Sequence, residues 1–551
     1  MLTSSIREDY LPPKAFMPRN IRLLPELEYP SRFNLTEMLL DRNIPERADR
    51  VAIYHDDERI TYRQFQCQVN KFANALRELG VEKGDRVALR SANIPEYLVW
   101  NFACWRIGAI PVLLSHLNRA SEVAFKINDS EAVAICVHSD SYADVQKVRG
   151  ECPHLKHVIV YGEPIAGTLN YPDLVRTQSE NAASEDMSGE DYARIIYSSG
   201  TTGKPKGILT TLEGMLSIGD AVGRPLLNLG PNDVLGGHPF FSFAFGATFL
   251  YLPWRFGAAV SIISKFSPER QFELVGEHGI TLLMAVPTGF RMMLGVAGAE
   301  QRYRLSTLRL CHSAGESLPD TTALEWRERF GQTIIDSMGS SELHYWLSTF
   351  EGMPDNKIGS SGFSVPGYEN VVVDEQLNPV PAGTPGELLV RGPLGQMYWR
   401  RPDAQRKGVC PPDSRFAGWS RPGLYFSQDE DGYFWFKSRL DDMIVTSGYK
   451  VPGGEVENAL NNHPAVLESA VIGVPDQERG SLIKAFVILK DGISPSPQLA
   501  QQLQNFAKQE LEPYKYPRLV EFAQAEALPR TVTGKIQRNA LRELEMARAG
   551  G

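Results

Sequence analysis

The sequence predicts an α/β protein: a large N-terminal domain of helix-covered sheets with a β-rich subdomain, followed by a small α+β C-terminal domain. Three observations carry that expectation. The first half alternates strand-like and helix-like segments, the rhythm of a parallel sheet covered by helices. After about residue 360 the segments become short strands punctuated by Pro and Gly, and after Arg439-Leu-Asp-Asp442 the α/β rhythm resumes on a smaller scale. A length of 551 residues, at ~150 residues per domain, agrees with two to four domains.

The elements follow in chain order. Thr61 is placed to cap a helix whose apolar positions Phe65, Val69, Phe72, Ala73 and Leu76 recur at helical spacing, with Gly80 closing it. Gly84-Asp85 leads into the strand Arg86-Val-Ala-Leu-Arg90. A helix from about Pro95 to Ile107 and a strand from Ile110 to Leu114 come next. The rhythm recurs around Val133–Val137, at Val158–Val160 and at Thr281–Val286. Val371–Val373 and Gly386-Glu-Leu-Leu-Val-Arg391 read as strands, and Asp431-Gly432 as the turn of a hairpin running into Tyr433-Phe-Trp-Phe436. Gly454 to Asn462 and Pro497 to Leu511 read as helices; Ala470–Val474 and Lys484–Leu489 read as strands. A boundary at residue 440 gives domains 1–440 and 441–551, the second of a plausible size for a small domain.

Composition narrows the function classes. Apolar residues make up 42% and charged residues 22%, the balance of a globular chain and not of a disordered one. With 57 basic and 66 acidic residues the net charge is −9 and no domain-sized basic block appears, so nucleic acid is not an expected partner. An anionic ligand must then be held by local donors. Six cysteines without a C-x-x-C pair form no disulfide scaffold and suit a reducing compartment. Met1 to Pro13 lacks the apolar core of a signal peptide, and no run reaches the about 18 apolar residues of a membrane span, so a cytoplasmic protein without a membrane partner is expected.

The densest chemical signal is Tyr197-Ser198-Ser199-Gly200-Thr201-Thr202-Gly203-Lys204-Pro205-Lys206-Gly207, which follows the apolar Ile195-Ile196. Glycines let the backbone turn N–H groups toward a phosphate, hydroxyls add donors and lysines add charge. Pro205 stands where the Walker motif needs Ser or Thr, so this is a different phosphate loop. A solvated surface loop is the plain alternative, and eleven ordered positions argue against it.

This segment resembles the phosphate-binding signature of the adenylate-forming family, which comprises acyl-CoA synthetases, carrier-protein-loading adenylation enzymes and luciferases. Further matches follow in the family's order. Asp336-Ser337-Met338-Gly339-Ser340-Ser341-Glu342 is similar to the aromatic/Gly/Ser/Thr/Glu motif, and Gly386–Gly392 to the Gly-Glu-(apolar)-Arg-Gly strand. Ser438-Arg439-Leu-Asp441-Asp442 resembles the hinge, Ser447-Gly448-Tyr449-Lys450 with Glu455-Val-Glu457 the start of the mobile C-terminal domain, and Pro529-Arg-Thr-Val-Thr-Gly-Lys535 its terminal loop.

The resemblance implies a reaction and roles. A carboxylate attacks the α-phosphate of ATP, and a thiol then displaces AMP from the acyl adenylate. Two anions meet in the first step, so charge must be neutralised there. The resemblance gives that task to Glu342, as Mg²⁺ ligand, and to Lys535. It assigns ATP and AMP to Ser198–Lys204, Gly315, Glu316, Ser317, Asp336–Ser341 and Arg439, with Arg439 on the ribose and Asp441 as hinge. Phe243, Phe245 and Gly246, in His238-Pro-Phe-Phe-Ser-Phe-Ala-Phe-Gly246, with Ala314 and His344, resemble the aryl pocket of the benzoate- and 2-aminobenzoate-CoA ligases. A small aromatic carboxylic acid is thus the implied substrate; plain core packing is the other reading of those aromatics. His344 lies one position earlier than the histidine of those ligases, with Tyr345 in its place. Ser447, Gly448, Tyr449, Arg479 and Gly480 are implied to meet coenzyme A, with an exposed turn as the plain alternative for Arg479. One match fails: Pro422-Gly423-Leu424 stands where the family has Thr-Gly-Asp, and Leu424 cannot accept bonds from ribose hydroxyls; Gln428 and Asp429 are the candidate substitutes. The expected activity is therefore an ATP-dependent aryl-CoA ligase using ATP, Mg²⁺ and coenzyme A. The alternatives are an acyltransferase that moves an aryl group from coenzyme A to an acyl carrier protein, and a binding module of the same fold.

Overall fold

A computed structural model of the chain describes residues 8–198, 205–316, 318–447, 449–476, 479–530 and 536–550. The architecture is mixed α/β, as the alternation predicts. The chain forms two compact units: Met1–Asn370 with Leu389–Arg421, and Val371–Leu388 with Pro422–Gly551. The expected boundary at residue 440 therefore falls inside the second unit. The four-stranded sheet Glu369–Val373, Gly386–Arg391, Leu424–Gln428 and Phe434–Arg439 accounts for this, because its last two strands precede residue 440 in sequence.

The first unit is built on two large sheets. One has eight strands among the described residues: Tyr192–Ser198, Ile110–Ser115, Arg86–Ser91, Ala134–His138 and His157–Tyr161 are parallel in that spatial order, and the antiparallel Lys206–Thr211 flanks Tyr192–Ser198 on its other side. The other has nine strands among the described residues, with Val234–Gly237, Leu282–Met284, Leu310–Ala314 and Ile334–Ser340 parallel and the hairpin partner His344–Ser348 antiparallel, next to the edge strand Phe363–Ser364. The helix Tyr62–Glu78 shows how the local code works. Thr61 accepts from the Gln64 amide while Gln64 caps back, and Phe65, Val69, Phe72, Ala73 and Leu76 are all fully buried. Each large side chain buried this way contributes about 1.5–3 kcal/mol.

The second unit repeats the scheme at small scale. The antiparallel pair Val466–Asp476 and Gly480–Leu489, with Leu519–Phe522 parallel to the latter, packs its Val471, Ile483, Ala485 and Val487 face on Val456, Leu460, Leu503 and Ala507 from two helices. The hairpin at Asp431-Gly432 forms as expected, with Gly432 at φ 92°.

Candidate active site

The first unit gathers most of the chemistry-bearing residues around the carboxyl ends of strands in the two sheets. Ser198 closes its strand opposite Lys206, at the two flanks of the glycine-rich segment. Ser199, Gly200, Thr201, Thr202, Gly203 and Lys204 lie outside the described residues. The Lys206 ammonium sits 5.7 Å from the Tyr398 ring centroid, and the Tyr398 hydroxyl donates to Glu342 Oε1 at 3.1 Å. These contacts bring the flank of the phosphate-type loop next to the candidate metal-binding carboxylate. Tyr398 is 56 residues from Glu342, and no local signal in the sequence marks it.

The strand Ile334–Ser340 and the turn after it place Asp336 to Glu342 in one run. Ser340 Oγ accepts from the Glu342 and Leu343 amides at 3.2 and 3.3 Å, which fixes the turn. The ladder shifts register between Met338 and Gly339, and a Cβ at Gly339 would lie 2.3 Å from the His344 carbonyl oxygen. Only glycine fits there, which accounts for Gly339 at this point in the motif. Met338, Ser340, Ser341 and Glu342 are half-buried, whereas Ser337 is buried. Gly315 is exposed at φ 92°, and Glu316 Oε2 accepts from Thr288 Oγ1 at 3.0 Å. Ser317 lies outside the described residues.

Glu342 suits a magnesium ion held mainly by its substrate. It is a half-buried carboxylate with one oxygen bound to a tyrosine, and no cluster of three metal-binding side chains exists among the described residues. Mg²⁺ is commonly held by one or two carboxylates plus phosphates and water.

Burial pushes the Asp336 carboxyl up to about 7. The unfolded chain releases this proton near pH 4, whereas the folded chain keeps it until near neutrality. The folded state therefore binds more protons over that window, and its stability falls as pH rises through it. Asp336→Asn removes the ionisation, so the variant should lack that downward slope between pH 4 and 7. At pH 7.5 it should be more stable than the parent by about 2–4 kcal/mol. Denaturant titrations across that range check this; parallel curves for the two proteins would contradict it.

Phe243, Phe245 and Gly246 separate in role. Phe245 is buried, with its ring edge-on to His312 (centroids 5.5 Å) and to Tyr345 (6.3 Å), and His312 and Tyr345 also meet edge-on at 5.3 Å. The Tyr345 hydroxyl and Thr248 Oγ1 lie 2.9 Å apart. Phe243 is half-buried beside Phe240, at 6.5 Å. A Cβ at Gly246 would meet the Phe240 carbonyl oxygen at 2.0 Å, so glycine is required there by backbone approach. Ala314 is buried two residues from His312 on the same strand, and hence on the same face of it. That alternation is the sequence signal that points to His312.

His344 occupies a different place. It adopts φ 54°, its Nε2 accepts from the Arg194 guanidinium, and its Nδ1 lies 3.3 Å from the Tyr251 hydroxyl. Burial, with the Arg194 charge beside it, holds this imidazole neutral. Its neighbour Tyr345 joins the Phe245–His312 group instead, so the shift of one position has a structural counterpart.

The remaining candidates belong to the second unit. Arg439 forms a two-point pair with Asp441 at 2.9 and 3.0 Å. Leu424 lies opposite Arg439 in the hairpin. Asp429, a candidate substitute for the missing aspartate, accepts from the Tyr433 amide and Trp435 Nε1 within its own turn, and Gln428 Nε2 donates to the Gly432 carbonyl. Ser447, at φ 48°, donates its amide to the Arg479 carbonyl at 2.8 Å, and the exposed Tyr449 stacks on Tyr514 at 4.4 Å. Arg479 and Gly480 are exposed. Gly448 and Lys535 lie outside the described residues. No helix among the described residues is long and apolar enough to cross a membrane.

Similarity to known proteins agrees with these features. Residues 40–399 match the AMP-binding enzyme family and residues 455–535 its C-terminal domain. The chain belongs to the AMP-binding enzyme family, the adenylate-forming enzymes. It is 34% identical to the benzoate–CoA ligase of Thauera aromatica over 526 residues, 94% of this chain and 97% of that one. It is 33% identical to the acetyl-coenzyme A synthetase of Bacillus subtilis, covering 94% and 91%. Among solved structures, an anthranilate CoA ligase in complex with anthranoyl-AMP superposes with a TM-score of 0.87 at 34% identity, covering 96% of this chain and 100% of that one.

Proposed function

We propose that the protein activates a small aromatic carboxylic acid with ATP and transfers the acyl group to coenzyme A. The observation that carries this reading is the Phe245–His312–Tyr345 group beside the strand and turn that hold Asp336 to Glu342. Aromatic side chains next to a carboxylate suited to Mg²⁺ supply ring contacts for a flat acid near the phosphates. Mg²⁺ supplies charge neutralisation on the triphosphate. Glu342 would hold that ion, and the Tyr398 hydroxyl bonds Glu342 Oε1. Relatives named for benzoate, 3-hydroxybenzoate and anthranilate support an aryl acid, whereas the acetyl-coenzyme A relative is why the acid has to be tested.

The test is pyrophosphate release over a panel containing benzoate, anthranilate, acetate and a medium-chain acid. Aromatic acids should exceed the aliphatic ones by at least about tenfold in kcat/KM. A preference for acetate or the medium-chain acid would contradict the reading. Phe243→Ala should raise KM for aromatic acids through a loss of about 1–3 kcal/mol of ring contact and shift selectivity toward bulkier acids. Unchanged selectivity across substituted benzoates would remove Phe243 from the pocket.

Leu424 favours a second reading, transfer of an aryl group from coenzyme A to an acyl carrier protein without ATP. Its side chain has no acceptor for a ribose, and Asp429 is engaged in its own turn. ATP-independent exchange with a carrier protein, without pyrophosphate release, would select it.

A further inference from the structure

His312 lies on the strand Leu310–Ala314 and is fully buried. Burial lowers its pKa to about 3, so the imidazole is neutral and exactly one ring nitrogen carries hydrogen. The surrounding hydroxyls decide which one.

His312 Nε2 lies 2.9 Å from Ser337 Oγ, and Ser337 Oγ lies 2.8 Å from Ser348 Oγ. Ser348 has carbonyl acceptors at 2.9 Å (Thr349) and 3.3 Å (Asp336). Its single hydroxyl hydrogen goes to a carbonyl, so Ser348 Oγ accepts from Ser337, and Ser337 Oγ in turn accepts from His312 Nε2–H. The reverse direction makes one bond fewer and leaves a buried N–H with no acceptor, the rarer and costlier defect. His312 Nδ1 is therefore a bare lone pair. It is buried without a partner among the described residues, against the Phe245 and Tyr345 rings. The nearby Tyr345 hydroxyl has its own partner in Thr248 Oγ1.

We propose that His312 Nδ1 is a specificity determinant that accepts a hydrogen bond from a ring substituent of the substrate, so that the preferred acid is an aromatic carboxylic acid bearing an amino or hydroxyl group. This rests on the reading of the substrate as an aromatic acid. A site built to bond a polar substituent discriminates against an analogue lacking it, because its buried polar atom then stays unpaired.

The test compares kcat/KM, by pyrophosphate release, for the 2-, 3- and 4-amino- and hydroxybenzoates against methyl- and methoxybenzoates substituted at the same positions. At one ring position the donor-bearing acid should exceed its methyl counterpart by about 10–100-fold. His312→Leu should abolish that ratio, whereas His312→Asn, whose amide oxygen can replace Nδ1, should keep most of it. Ser337→Ala frees the imidazole to carry its hydrogen on Nδ1. It should therefore shrink the ratio and raise the relative rate with the methoxy acid, a change in preference that a structural role of Ser337 does not produce. If methyl and donor-bearing acids are equal in the parent protein, or the ratio survives His312→Leu, the inference is overturned while the aryl reading stands. If no aromatic acid releases pyrophosphate, both are overturned.

Discussion

Glu342→Gln is expected to lower acid-dependent pyrophosphate release by about 10²–10³-fold, the effect of removing one group that stabilises developing charge. The glutamine carbonyl can still accept from the Tyr398 hydroxyl, which bonds Glu342 Oε1 at 3.1 Å in the parent. The turn at Ser340 rests on amides that the substitution leaves intact. Stability should therefore stay within about 1 kcal/mol of the parent, as for a half-buried position that keeps its bond. Only the charge is lost, so the concentration of Mg²⁺ needed for half-maximal rate should rise. Equal rates and an equal Mg²⁺ requirement in the two proteins would remove Glu342 as a ligand.

A comparable loss, confined to one half-reaction, is expected for Lys535→Ala. The resemblance to the adenylate-forming family gives this residue the task of meeting the attacking carboxylate and the α-phosphate with a positive charge. That charge is needed while two anions approach each other. It is not needed when a thiol attacks the finished adenylate. An interaction made only in the first transition state affects only the first step. Pyrophosphate release should fall by about 10²–10³-fold, while thioester formation from supplied acyl adenylate and coenzyme A continues at close to the parent rate. Equal loss of both steps would contradict the division of labour. Undiminished ATP-independent transfer from aryl-CoA to a carrier protein would move the assignment to the acyltransferase reading.

Much of the fold is legible in the sequence because its signals are local. Thr61 and Gly80 bracket a helix with one apolar stripe, and Asp431-Gly432 marks a turn that forms where expected. The start of the second compact unit, by contrast, is set non-locally. The strand Leu424–Gln428 pairs with Gly386–Arg391 across some forty residues, and no periodicity reports that pairing. The candidate site divides in the same way. The motif from Ser337 to Glu342 is contiguous and could be read directly. Tyr398 and Thr248 act through contacts made only after folding, with Glu342 and Tyr345 respectively. His344 shows the limit of spacing alone: a register shift and a left-handed residue at the hairpin turn it toward Arg194, and the next side chain joins Phe245.

The most direct test of acyl-adenylate chemistry is to follow the carboxylate oxygen. The protein is incubated with ATP, Mg²⁺, coenzyme A and anthranilate or benzoate labelled with ¹⁸O in the carboxylate. Attack of that oxygen on the α-phosphate, followed by thiol attack on the carbonyl carbon, leaves the bridging oxygen on AMP. Mass spectrometry should therefore find one ¹⁸O in AMP for each thioester formed. Thioester accompanied by unlabelled AMP, by label in orthophosphate, or formed with no ATP consumed would contradict the account.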